Sequence, residues 1–125
     1  MEDLISEFIA MKKYALVGAT DNKQKFGYKI LMSLKNRGYE VYPVNPRLPE
    51  IEGLKCYKAL ADIPVKVDVV NIVVPSEVTE KVVEECKKLG LLNVWMQPGA
   101  SSEKAVEYCN KNGIRLVHDA CVMVH

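Results

Sequence analysis

Short apolar runs alternate with amphipathic ones along the whole chain, the pattern left by buried parallel strands and the helices that cross between them. "LISEFIAM" predicts a short leading helix within residues 1–12, and "YALVGA" the first strand. "YKILMSLKNRG" follows as a helix stopped by Gly38, with Tyr28, Leu31, Leu34 and Met32 on its inner face. "YEVYPVNP" reads as the second strand, where Pro43 weakens the end and Asn45-Pro46 forces a turn. The stretch "RLPEIEGLKCYKALADIP" predicts a connection of three short segments. "VDVVNIVVP" is the third strand, and its apolarity places it centrally in the sheet. A helix over "SEVTEKVVEECKKLG" comes next, with Ser76 as its N-cap and Gly90 as its stop. "NVWMQPG" supplies the fourth strand and its loop, "SSEKAVEYCNKNG" the last full helix, "IRLVHD" the fifth strand, and "ACVMVH" a short terminal segment.

No internal repeat or low-complexity linker breaks this order, so one domain over residues 1–125 is expected. The fold class is α/β: a Rossmann-like open parallel sheet of about five strands in the order 3-2-1-4-5, with helices on both faces. In such sheets ligands bind outside the carboxyl ends of the strands, where the strand order reverses. That rule gathers the loops at residues 18–27, 44–49, 73–78, 96–101 and 119–123.

Composition narrows the partners. Seventeen basic residues against sixteen acidic ones leave a formal charge of +1, so no whole-molecule field draws the chain to nucleic acid or to an anionic membrane. The start "MEDLISEFIAMKKYALVG" has no basic segment followed by a long apolar one, and a cytoplasmic protein is expected. Cys56, Cys86, Cys109 and Cys121 form no C-x-x-C pair and have no histidine at zinc spacing. Neither a metal site nor a disulfide framework is indicated, and reduced thiols serving as small buried groups are the simplest reading.

The polar loop after the first strand looks built for an anion. It lacks the G-x-G-x-x-G fingerprint, since Gly18 and Gly27 are its only glycines, and this weakens ordinary NAD binding. Gly18 nevertheless lets backbone approach a phosphate, Thr20 offers a hydroxyl, and the helix that begins after Lys25 presents unsatisfied N–H groups and a partial positive charge. After the second strand, Asn45-Pro46-Arg47 stands where NAD sites prefer an acidic residue. A guanidinium there suits an extra ribose phosphate, as in NADP or coenzyme A. There is no Ser-His-Asp order and no pair of carboxylates in one loop. His118 and Asp119 are strand-end neighbours expected to point to opposite faces, so no catalytic residue is nominated.

Taken together, "ALVGATDNKQKFGYKILMSLKNRGYEVYPVNP", "GLKCYKALADIP", "VDVVNIVVP", "WMQPGA" and "DACVMV" closely resemble the stand-alone CoA-binding domain family. That family is similar to the N-terminal domain of the succinyl-CoA synthetase alpha subunit. The resemblance runs from Tyr14 onward, and the combination of G-A-T-x-x-x-x-K-x-G with P-V-N-P carries it. It implies coenzyme A, or an acyl-CoA, along the carboxyl edge of the sheet. By position, Gly18, Ala19 and Thr20 would line the phosphates with Lys25 as a cationic contact. Asn45 and Arg47 would lie near the adenosine and its 3′-phosphate, and Val74 and Pro75 would flank the adenine or the start of the pantetheine arm. Gln97, Pro98 and Gly99 would face that arm, and Cys121 would lie near its thiol end. Asp21 replaces a glycine of the synthetase pattern. The synthetases carry their phosphorylated histidine beyond this first domain, so no catalytic activity of its own is expected here. A CoA carrier, a thiol-redox-responsive protein, an NADP-binding oxidoreductase-like protein and a CoA-binding subunit of a larger complex all remain open, with a homodimer as the expected assembly.

Overall fold

The computed structural model describes residues 1–125. The chain runs α1 (Glu2–Ala10), β1 (Lys13–Val17), α2 (Phe26–Asn36), β2 (Glu40–Val44), β3 (Glu50–Ile51), β4 (Leu54–Lys55), β5 (Val69–Ile72), α3 (Ser76–Leu89), β6 (Asn93–Met96), α4 (Glu103–Lys111) and β7 (Arg115–His118). Single 3-10 turns occupy Leu60–Asp62 and Val122–Val124. The link from β2 to β5 is thus made of three short segments, the hairpin strands β3 and β4 and the first 3-10 turn.

Five strands form one parallel sheet in the order β2-β1-β5-β6-β7. Counting those five alone, the order is 2-1-3-4-5, which corrects the expected 3-2-1-4-5. The reason lies in β5 and β2. All four β5 residues are buried, so β5 needs a neighbour on each side and cover on each face. In contrast, β2 begins with exposed Glu40 and contains Pro43, which has no N–H to give a further strand. The central place read from the apolarity of the third strand is therefore right, and the order written beside it is not.

Each face of the sheet has its own core. On one face Ile5 and Phe8 of α1 and Ile30, Leu31 and Leu34 of α2 pack with Tyr14, Leu16, Val69 and Trp95. On the other, Val82, Val83 and Cys86 of α3 and Ala105 and Cys109 of α4 pack with Ala15, Val70, Ile72 and Val94. The alternation along β1 and β5 assigns each side chain to its face. On α2, Ile30 takes the inward position expected of Tyr28 and Met32, which are only half-buried. Tyr14, fully buried, donates its hydroxyl to the Phe8 carbonyl at 2.5 Å and ties α1 to the sheet.

Three helix ends are set by residues read from the sequence or by their neighbours. Gly90 adopts φ 71° and closes α3. Ser76 is not the N-cap of α3: Pro75 holds that position at φ −56° and ψ 149°, and its carbonyl accepts from the Val78 and Thr79 N–H groups. Ser102, by contrast, caps α4 by accepting the Ala105 N–H at 3.0 Å.

Candidate functional site

The strand order reverses between β1 and β5, and the chain leaves those strands at Gly18 and Val73. The two residues touch. A Cβ on Gly18 would stand 2.5 Å from the Val73 carbonyl oxygen, and the residue has φ +101°. Gly27, in the first turn of α2, is equally confined: a Cβ there would lie 2.1 Å from the Gly18 carbonyl oxygen. Backbone therefore packs on backbone at this corner and seats the start of α2 over the crevice. Chain packing already requires glycine at 18, whatever lies above the loop.

The helix start so placed is electrostatically open. No side chain caps α2, and its first turn holds no acidic residue, whereas the first turns of α1, α3 and α4 each carry at least one. The positive end of α2 is left for solvent or an anion. Thr20 Oγ1 accepts the Asn22 N–H at 3.2 Å, and Asn22 Oδ1 accepts the Gln24 N–H at 3.0 Å. The Thr20 hydroxyl proton stays free to donate outward.

A cleft of about 510 Å³ lies over this corner. Of the residues expected at the site it brings together Gly18, Ala19, Thr20, Lys25, Asn45, Val74 and Pro75, and it adds Gln24, Phe26, Gly27 and Val73. Asn45 is committed to the scaffold as well as to the wall. Its Nδ2 donates to the Ala19 carbonyl at 2.9 Å, while its Oδ1 accepts the N–H groups of Arg47 and Leu48 at 2.8 and 3.1 Å. Arg47 is exposed and stands outside the cleft.

Next along the edge is a smaller cavity of about 150 Å³, where Gln97, Pro98 and Cys121 meet Phe26, Ile30 and Val73. Gly99 lies outside both spaces, in an exposed turn at φ +88°. Gln97 is buried and bridges two elements. Its Oε1 accepts the Val122 N–H at 3.2 Å, which fixes the amide orientation, and its Nε2 donates to Asn71 Oδ1 at 3.1 Å. The polarity of that chain leaves Asn71 Nδ2 buried without a partner. The segment bearing Cys121 is pinned twice more, by Trp95 Nε1 donating to the Ala120 carbonyl at 2.7 Å and by Arg37 Nη1 donating to the Val122 carbonyl at 2.9 Å.

Among the four thiols, all free, only Cys121 is accessible. Burial pushes the Cys86 thiol up to about 12 and the Cys109 thiol up to about 11, and it raises that of Cys56. His118 and Asp119 do not point apart as expected. Asp119 takes φ 58°, which turns its carboxylate back to within 2.8 Å of His118 Nδ1. The pair borders a separate surface groove lined by α4 residues and not the cavity of Cys121.

A Rossmann-like sheet with an uncapped helix start and an accessible thiol along one edge is the class these features define. The match to known families is specific: the family described as CoA binding domain covers residues 12–125, and the chain belongs to it. The chain is similar to the alpha subunit of an acetate–CoA ligase (ADP-forming) II from Pyrococcus furiosus, 33% identical over 95% of this chain and 28% of the relative. It is also similar to the uncharacterized protein YneT of Bacillus subtilis, 30% identical over 90% of this chain and 84% of that protein. Among solved structures, a conserved hypothetical protein from Pyrococcus furiosus superposes with a TM-score of 0.88 at 44% identity, covering 90% of this chain and 97% of the other. The chain spans only 11% to 28% of the length of the first ligase relatives it matches.

Proposed function

We propose that the chain binds coenzyme A, free or as an acyl-CoA, along the carboxyl edge of its sheet. One observation carries the reading: a cleft at an uncapped helix start adjoins an apolar cavity that holds the accessible thiol, in a member of a CoA-binding family. In this reading Gly18, Ala19, Thr20 and Lys25 meet the pyrophosphate, where the helix end and the ammonium favour negative charge. Asn45 and Arg47 lie toward the adenosine and its 3′-phosphate, Val74 and Pro75 flank the adenine or the first part of the arm, and Gln97 and Pro98 face the arm, with Gly99 in the exposed turn beyond them. Calorimetric titration tests it: CoA should bind more tightly than NADP, and NADP binding as tight as CoA would sink the assignment.

The same reading includes a thiol-responsive or CoA-carrier role centred on Cys121. On exposure to CoA disulfide, the Cys121 thiolate attacks one sulfur, a Cys121–CoA disulfide forms, and one CoA leaves as its thiolate. Peptide mapping should find a reductant-sensitive adduct on Cys121, and one that survives Cys121→Ser would count against this role. No catalytic step is assigned to the chain. A cytoplasmic location and a homodimer belong to the same proposal, the second checked by sedimentation. The ligase relatives, which contain a matching segment within a longer chain, favour a second reading as the CoA-binding part of a larger assembly. A stable heteromer in native extract would support it.

A further inference from the structure

The phosphate cleft and the thiol cavity are separate spaces, and the residues common to both are Phe26 and Val73. Phe26 opens α2 and is 63% exposed. Among large apolar side chains only Val124, next to the last residue, is more exposed. The ring belongs to neither core cluster, nor does it pack against one. The Lys29 ammonium, one turn along the same helix, lies 5.7 Å from its centroid. Nothing in the folding of the chain accounts for a phenyl ring standing between two ligand-sized spaces.

The chemistry of coenzyme A does account for it. In that molecule the pyrophosphate is followed by a methylene and a dimethyl-substituted carbon, the most apolar part of the arm, with a single hydroxyl on the next carbon and the amides beyond it. In NADP the same place is taken by a hydroxylated ribose. We infer that Phe26 and Val73 form an apolar crossing between the two cavities, over which the pantetheine arm passes, and that Phe26 selects this arm against the nicotinamide riboside of NADP. Burying the dimethyl group against the ring removes apolar surface from water on both partners, whereas a ribose there would leave hydroxyls facing a phenyl ring. The inference rests on the reading that CoA lies along this edge.

Two ligands separate the two claims. 3′-Phospho-ADP reproduces CoA up to the pyrophosphate and stops before the crossing. Calorimetric titration of the full chain with both ligands should show Phe26→Ala weakening CoA about tenfold and Phe26→Leu by less, with 3′-phospho-ADP unchanged in both. Phe26→Trp gives an independent readout, because an indole at this exposed position should change its emission on adding CoA and not on adding 3′-phospho-ADP. Unchanged CoA affinity in Phe26→Ala overturns the crossing, as does an equal loss for both ligands, which would place the effect in the phosphate loop. If the wild-type chain binds neither ligand, the reading of CoA along this edge falls and the crossing with it. Because the ring is exposed and outside both cores, the variants should keep the wild-type urea midpoint.

Discussion

The loop after β1 is held by its own near neighbours: Gly27 meets the Gly18 carbonyl nine residues back in the sequence, and Thr20 and Asn22 fold the turn between them. The segment after β7 is held by side chains from elsewhere, Trp95 of β6, Gln97 beyond it, and Arg37 at the end of α2. At the first end backbone touches backbone, and no smaller residue exists to relieve a clash. At the second, hydrogen-bonding groups can be lost one at a time. A ligand lying across both would meet a fixed anion seat at one end and a separately adjustable thiol at the other.

Substitution of the glycine corner should break this contrast most severely. Gly27→Ala is expected to lower stability by about 3 kcal/mol or more, since its Cβ has no room beside the Gly18 carbonyl. Urea unfolding measures it, and an unchanged midpoint would mean that α2 can slide without loss. For the same reason Gly18 variants confound ligand binding with folding.

Alkaline titration tests the contrast in thiols, with the accessible one on the β7 side and two buried between the sheet and α3 and α4. Burial raises the folded-state values of Cys86 and Cys109 to about 12 and 11, so the unfolded chain loses those protons first. Their contribution to stability is fully present below about pH 9 and is lost as pH rises through the folded values, a decline on the order of a few kcal/mol by pH 11. Chemical denaturation at stepped pH should show it, and Cys86→Ala should flatten the slope.

At the adjustable end, Gln97→Leu strands the Val122 N–H and Asn71 Oδ1 and should cost about 1 to 3 kcal/mol. Faster alkylation of Cys121 in that variant would show that Gln97 holds the segment down. The smallest effect is expected at Arg47. Because it is exposed, Arg47→Ala should narrow the affinity gap between CoA and dephospho-CoA by about 1 kcal/mol. No narrowing would remove it from the 3′-phosphate.

Much of this architecture was legible because its signals are local. The βα alternation, the stop at Gly90 and the short segments between β2 and β5 all follow from neighbours in sequence. Strand order was not, because it depends on which strands meet, yet the apolar run of β5 and Pro43 in β2 already favoured the observed arrangement. At the site, Gly18, Thr20 and Lys25 stand on one signature loop and fall in one cleft. Phe26 and Val73 fall within the gathered loops 18–27 and 73–78 but were not nominated as site residues, since an apolar side chain in a polar loop carries no ligand chemistry of its own and only the topology turns these two toward a cavity. The partnerless Asn71 amide depends on a hydrogen-bond chain spanning residues 71, 97 and 122, which no spacing rule encodes.

The edge strand β2 has a further consequence, for assembly. At its carboxyl end the Pro43 carbonyl accepts the Tyr57 N–H and the Asn45 N–H donates to the Tyr57 carbonyl, both at 2.9 Å. Pro43 itself offers no donor. The polar ladder that could template another chain is therefore covered along this stretch. On the opposite edge, β7 is four residues long and ends where Asp119 turns the backbone away. Two copies of this protein would gain little by joining sheet edges, so any self-association would have to use helix faces, and concentrated solutions should resist growth into β-rich fibres.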